Sequence, residues 1–219
     1  MPLDTFENTL IHELSDLLSA EKQFAKVLQT VAKNADGAEL KAIAAQHQEE
    51  TVAQAEALQQ AFISLGSKPE RGVVCDAAKG LVEEITGALK EDKPKGAIKD
   101  VVLIGGCLRI EHYEIAGYSS AIALARSLGK KEAVAILTNT LNQEKATAKR
   151  FSDAATVVLK ASAQSGAATA PQNGAAQSSQ SKAAAKPAAT KAVPAAKASA
   201  AKSSPAKAPA KSSAKKSAK

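Results

Sequence analysis

The sequence has few of the features that mark secreted, disulfide-bonded or membrane-spanning proteins. Only two of its 219 residues are cysteine, too few for a disulfide framework or for a paired-cysteine zinc site. No run of about 18 apolar residues occurs, so no membrane-spanning helix is expected. The amino-terminal residues lack the basic start and apolar run of a signal peptide. We therefore expect a cytoplasmic protein that does not span a membrane.

Acidic residues are missing from one part of the chain only. The whole sequence has 29 Lys and Arg against 22 Asp and Glu, a net charge of +7. Ten of the lysines, with no acidic or aromatic residue, lie between Lys182 and Lys219, so residues 1–181 carry 19 basic and 22 acidic groups. This division predicts a mildly acidic folded domain, residues 1–164, and a strongly basic tail, residues 165–219.

Residues 1–164 are rich in helix-forming residues, and their few Gly and Pro breaks divide them into four long helices and a short one. The predicted helices cover residues 3–33, 38–65, 76–89, 97–128 and 131–163. Tight turns join the long helices into two antiparallel hairpins, and the segment between the hairpins is long enough to cross the bundle. The predicted fold is all-α: a four-helix bundle with one long crossover that carries a short helix.

Each long helix has an apolar stripe that one carboxylate interrupts near the middle of the helix. The interrupting residues are Glu21, Glu50, Glu111 and Glu144. Because the midpoints of packed antiparallel helices lie at the same level, we expect these four side chains to meet inside the bundle. Isolated buried carboxylates are costly, and no Lys or Arg lies on the stripes. The four residues therefore predict either protonated carboxyl groups or a bound multivalent cation.

Two further residues share a helix face with these carboxylates. His47 lies three residues before Glu50, and Glu114 lies three residues after Glu111. Five carboxylates and one imidazole suit iron or manganese better than zinc in a thiolate cage, and two divalent ions nearly balance their charge. No catalytic residue can be assigned. The sequence predicts a site for two Fe or Mn ions formed by Glu21, His47, Glu50, Glu111, Glu114 and Glu144.

The tail is predicted to be disordered and to bind DNA. Its prolines break any continuous helix, and no apolar residue larger than valine is present to anchor a core. Closely spaced lysines without acidic neighbours can follow the phosphates of any DNA sequence. A tail that only keeps the domain soluble, or that binds another polyanion, is the alternative. The predicted nucleic-acid-binding residues are Lys182, Lys186, Lys191, Lys197, Lys202, Lys207, Lys211, Lys215, Lys216 and Lys219.

Several motifs carry a resemblance to a known family. They are ELSDL at 13–17, AEKQ at 20–23, HQEET at 47–51 and EHYEIA at 111–116, followed by the segment 141–144. In this order they resemble the YciE/YciF stress-protein family of the ferritin-like superfamily over about residues 3–160. The resemblance implies a ferritin-like four-helix bundle, a dinuclear metal centre and a homodimer. The superfamily's usual pair of Glu-x-x-His motifs is absent, because His47 precedes Glu50 and no histidine follows Glu144.

Two classes of function fit these features. The leading hypothesis is a ferritin-like dinuclear metal protein of stress defence that oxidises Fe(II) or removes peroxide, as a ferroxidase, peroxidase or catalase does. In this hypothesis the tail tethers the protein to DNA. The alternative is a nucleoid-associated DNA-binding protein whose bundle is mainly a dimerisation scaffold. An iron store would need a closed shell, for which the sequence gives no evidence. Metal content measured together with Fe(II) or peroxide turnover separates the first two.

The tail generates the first testable prediction. If most of its ten lysines engage duplex DNA, the logarithm of the binding constant falls against the logarithm of salt concentration with a slope of roughly −5 to −9. Sequence preference is expected to be slight, because the tail has no aromatic residue for stacking and no arginine for reading guanine. A chain truncated before Ser165 has lost these lysines and should hardly bind. Full affinity in the truncated chain, or a slope near zero, contradicts the prediction.

Overall fold

The computed structural model describes residues 2–164, which form five α-helices; the predicted tail lies outside the described residues. The helices are α1 (Phe6–Asn34), α2 (Ala38–Ser64), α3 (Asp76–Lys90), α4 (Gly96–Ser127) and α5 (Lys131–Gln164). All five predicted helices are present. The largest difference is at the start of α1, because Thr5 caps that helix by accepting a hydrogen bond of 3.0 Å from the amide of Asn8.

The four long helices form a closed ring of neighbours. Helix α1 packs against α2 and α4, and α5 packs against the same two helices. Helix α3 lies on the outside, where it packs against α1 and α4. This arrangement confirms the predicted all-α four-helix bundle with its short additional helix. None of the helices in residues 2–164 is long and apolar enough to cross a membrane.

The buried apolar residues form two separate clusters. The Leu14 cluster includes Leu17 of α1 and Phe62 of α2, and the Phe24 cluster includes Leu28 of α1. Helix α2 runs from the Phe24 cluster to the Leu14 cluster, and α4 runs in the same direction. The connection from α2 to α4 must therefore return along the length of the bundle, which confirms the predicted crossover.

The turn between α1 and α2 is fixed by a carboxylate from a third helix. Asp100, in the first turns of α4, is almost fully buried and accepts hydrogen bonds of 2.7 Å from the amides of Asp36 and Gly37. Amides at the start of a helix have no partner within that helix, so Asp100 caps α2 from outside. Glycine suits position 37, because a Cβ atom there would lie 2.8 Å from the Asp100 carboxylate, which would have to shift. Sequence analysis assigned no role to Asp100.

Removing this cap should loosen the α1–α2 turn. We expect Asp100→Ala to lower the free energy of unfolding by about 1–3 kcal/mol, since two partly buried amides lose a charged acceptor. Urea unfolding followed by circular dichroism measures the change. Asp92→Ala is the control, because Asp92 is exposed in the loop between α3 and α4. Equal stability of the two variants contradicts the assigned role.

Candidate metal centre

The ionisable side chains that sequence analysis placed inside the bundle lie between the Leu14 and Phe24 clusters. Glu21 of α1, His47 of α2 and Glu144 of α5 are fully buried, and so are two carboxylates of α4, Glu111 and Glu114. Each residue stands near the middle of its helix, where one apolar cluster ends and the other begins. The periodicity of the stripes brings these residues into the core at one level, as predicted.

Four of these residues converge on one point. His47, Glu111, Glu114 and Glu144 each offer a nitrogen or oxygen atom, and these four atoms lie within 4.8 Å of one another. We call this group the four-residue cluster. Nε2 of His47 lies 2.8 Å from Oε1 of Glu111 and 3.9 Å from Oε2 of Glu144. Four donor atoms this close together are compatible with ligation of one metal ion.

Most polar atoms of the cluster have no aligned hydrogen-bond partner. Both carboxylate oxygens of Glu111 and of Glu114 lack one, and so do both ring nitrogens of His47. Nε2 of His47 is close to Glu111, but the two atoms are not aligned as donor and acceptor. Buried polar groups are normally paired, and leaving each one unpaired costs about 1–3 kcal/mol or more. A bound cation satisfies these atoms together, so the donor set fits a metal ion.

The surroundings raise the pKa values of three of the buried carboxyl groups, those of Glu21, Glu114 and Glu144. Burial raises the pKa of Glu21 to about 8. Burial and the neighbouring charge of Glu111 raise the pKa of Glu144 to about 9. Burial and the charges of Glu21 and Glu144 raise the pKa of Glu114 well above its usual value. These shifts support the sequence-based interpretation that the buried carboxyls are either protonated or bound to a cation.

The pKa of His47 is shifted upward, although burial alone would lower it. Burial alone lowers the pKa of its ring, but the adjacent carboxylates of Glu111 and Glu50 outweigh this effect and raise the pKa to about 10. The ring of Phe151 meets the imidazole edge-on, with 6.1 Å between centroids, and restricts its orientation. His47 therefore carries a proton that a metal ion would replace.

Glu50 was predicted to lie inside the centre with the other carboxylates. It lies at the rim instead. Its side chain is 24% exposed, and Oε2 is 3.5 Å from Nδ1 of His47. Gln46 donates a hydrogen bond of 2.8 Å to Oε1, and Arg150 donates one of 2.7 Å to Oε2. The contacts with His47, Gln46 and Arg150 lower the pKa of Glu50 to about 2. The stripe of α2 could not show this, because Arg150 reaches Glu50 from α5.

Two further residues hold the buried carboxylates in position. Neither was predicted from the sequence to belong to the site. The hydroxyl of Tyr118 donates a short hydrogen bond to Oε1 of Glu21, and Oε2 of Glu21 has no partner. The side-chain amide of Gln54 donates a short hydrogen bond to Oε1 of Glu144, and Oε2 of Glu144 has no partner. Both residues occupy stripe positions, Tyr118 on α4 and Gln54 on α2. A polar residue on a stripe was therefore the signal that could have identified them.

The predicted DNA-binding residues, Lys182 to Lys219, lie outside the described residues, so their role stays a prediction.

Residues 5–164 match the family described as a domain of unknown function, DUF892. Protein YciF of Escherichia coli strain K12 is 36% identical to the chain over 155 residues, which is 71% of this chain and 93% of that protein. The chain belongs to the DUF892 family. This result confirms the resemblance that the motifs indicated.

Solved structures agree with this assignment. The crystal structure of the E. coli stress protein YciF superposes with a TM-score of 0.69 at 35% identity, over 72% of this chain and 99% of that one. A dodecameric thioferritin, the bacterioferritin-related protein of Bacteroides fragilis, superposes with a TM-score of 0.57 at 20% identity, over 72% and 90% of the two chains. At this low identity the second match shows only that the thioferritin has a similar fold.

The raised pKa values make the stability of the metal-free protein depend on pH. In the unfolded chain Glu21 and Glu144 lose their protons near pH 4.5, whereas in the folded chain they keep them to about pH 8 and 9. Between these values the folded state binds more protons, so its stability falls as pH rises, by about 1.4 kcal/mol per pH unit for each such proton. His47, raised from 6.5 to about 10, acts in the same direction.

We therefore expect the melting temperature of the protein in excess chelator to fall between about pH 6 and about pH 8. Glu144→Gln removes one of the titrating groups and should make the fall shallower. Glu132→Gln, at an exposed position of the same helix, should keep the full fall. Thermal melts by circular dichroism measure it, and a melting temperature that stays constant or rises in the wild type contradicts the protonated cluster.

Proposed function

We propose that the chain is a ferritin-like metal protein of stress defence that binds two iron or manganese ions in the centre of its bundle. The four-residue cluster and Glu21 hold the ions inside, and Glu50 completes the site at the rim. The protein oxidises Fe(II) as a substrate or removes peroxide. The relative described as a stress protein, E. coli YciF, supports the defensive role.

The observation that carries the proposal is the set of buried carboxylate oxygens without hydrogen-bond partners. Six such oxygens belong to Glu21, Glu111, Glu114 and Glu144, and they lie between two apolar clusters that exclude water. A purely structural bundle gains nothing from these groups, because apolar residues of similar size would cost less in the same positions. Carboxylate oxygens with a single imidazole are the donors that iron and manganese accept.

The chain's own residues do three things for bound ions. Tyr118 and Gln54 each hold one oxygen of a carboxylate, so that the other oxygen stays directed into the centre. The ring of Phe151 restricts His47. The apolar clusters on either side keep bulk water from the buried acids. Iron or manganese held there supplies one-electron redox chemistry toward oxygen or peroxide.

The proposal also covers the tail and the partners. The lysine-rich residues 165–219 tether the bundle to DNA, and the protein is a homodimer in the nucleoid. The sequence supports the tether, because ten lysines stand without an acidic residue and the bundle that precedes them is mildly acidic. The alternative, a nucleoid-associated protein whose bundle is only a scaffold, predicts a bundle without bound metal.

The test is the metal content of protein purified without chelators. We expect up to two equivalents of Fe or Mn per chain in the wild type and the loss of at least one equivalent in Glu144→Gln, because a ligand oxygen becomes an amide donor. Glu132→Gln, exposed on the same helix, should retain the wild-type content. Elemental analysis by mass spectrometry measures the metal.

The outcomes distinguish the candidate functions. Metal that Glu144→Gln loses and Glu132→Gln keeps, together with Fe(II) oxidation or peroxide removal, supports the metal protein. Absence of metal from the wild type, even after incubation with Fe(II) or Mn(II), refutes it and favours the scaffold. Equal loss from both variants would show that the buried cluster is not where the metal binds.

A further inference from the structure

Glu50 and the four-residue cluster differ in how their oxygen atoms are occupied. The oxygens of Glu111 and Glu114 have no aligned hydrogen-bond partner, although Oε1 of Glu111 lies 2.8 Å from Nε2 of His47. Both oxygens of Glu50, by contrast, are engaged by side chains, Oε1 by Gln46 and Oε2 by Arg150. The inner part of the centre therefore has unpaired atoms that can bind a cation. The rim carboxylate, Glu50, is already paired with a cation, the guanidinium of Arg150.

We propose that Arg150 controls the second half of the metal centre by holding Glu50. The chain then binds one divalent ion in the four-residue cluster, and a second ion binds only when Glu50 leaves the guanidinium. This inference rests on the proposed metal-binding function, and it adds an order in which the two positions fill.

The distances support an exchange of partners at Glu50. Oε2 of Glu50 is 2.7 Å from Nη2 of Arg150 and 3.5 Å from Nδ1 of His47. The other ring nitrogen of His47 is 2.8 Å from Oε1 of Glu111. One imidazole therefore separates Glu50 from Glu111, and the Glu50 carboxylate lies within 3.5 Å of both the guanidinium and His47, a member of the four-residue cluster.

The charges point the same way. Glu21, Glu111, Glu114 and Glu144 supply four negative charges when ionised, and Glu50 supplies a fifth. The guanidinium of Arg150 cancels the charge of Glu50, so the second ion gains little from Glu50 while the pair persists. The pair also keeps a positive charge at the rim, beside Glu50.

The ion pair between Arg150 and Glu50 is held in place, but it can open. Nη2 of Arg150 also donates a hydrogen bond of 2.7 Å to Oγ1 of Thr147, one turn earlier on α5, and this contact keeps the guanidinium at the rim. The side chains of Arg150 and Glu50 are 31% and 24% exposed. Water can replace the contact when the two separate, so opening the pair is far cheaper here than in the buried cluster.

The experiment is a calorimetric titration of the metal-free, full-length chain with Mn2+. We expect the wild type to bind one ion tightly and a second more weakly. Arg150→Met should tighten the second step by about tenfold, which is about 1.4 kcal/mol, and should leave the first within about threefold. A second equivalent that appears only in Arg150→Met is the same result in a stronger form.

Two controls separate the contact from general charge. Lys149→Met removes the same charge from the neighbouring residue, whose amine is paired with Asp153 and is 74% exposed, and it should leave both steps unchanged. Glu50→Gln combined with Arg150→Met should show no tightening relative to Glu50→Gln alone, because the effect runs through Glu50. Arg150→Gln replaces Arg150→Met if thermal melts show that the latter does not fold.

Each outcome decides the matter. No change or a weakening of the second step in Arg150→Met and Arg150→Gln overturns the control by Arg150 and leaves the proposed function intact. The same holds if Lys149→Met gives an equal tightening, or if the tightening survives in the Glu50→Gln background. A wild-type chain that binds no Mn2+ overturns both the inference and the proposed function.

Discussion

The burial of five ionisable side chains at the middle of a helical bundle is the constraint on which the rest of the structure depends. Carboxylates such as Glu111 and Glu114 lose their hydration there, and each loss costs several kcal/mol unless a proton or a cation neutralises the group. The long helices offset this cost with an apolar cluster on each side of the buried acids. A shorter bundle would have one cluster, and the polar level would then lie at an open end.

At this level the protein fixes one oxygen of each of two carboxylates, Glu21 and Glu144, and leaves the other oxygen unpaired. Tyr118 holds one oxygen of Glu21, and Gln54 holds one oxygen of Glu144. Their other oxygens have no partner. A carboxylate that is held at one oxygen keeps its orientation, so the free oxygen needs little reorganisation when it binds a cation. Neutral donors suit this role, because a lysine or arginine in the same place would compete with the cation.

The level of the site was predictable from the sequence, but its rim was not. Glu21, Glu111 and Glu144 interrupt apolar stripes at mid-helix, and helical periodicity with antiparallel packing is enough to bring such residues together. The same periodicity could not show that Glu50 lies at the rim, because that position depends on the reach of Arg150 from another helix. Asp100 was missed for the same reason, since its contact with the α1–α2 turn joins residues far apart in the sequence.

Protonation explains how such a centre folds before it binds metal. A neutral carboxyl group costs much less to bury than a carboxylate, and the raised pKa values of Glu21 and Glu144 keep them neutral in the metal-free bundle. Protonation therefore lowers the cost of folding without the ion, whereas some small domains fold only when a metal is bound. Glu50 is different, because Arg150 and not a proton neutralises it. In the proposed metal centre the inner cluster exchanges protons for a cation and the rim exchanges a guanidinium, so its two halves respond to different conditions.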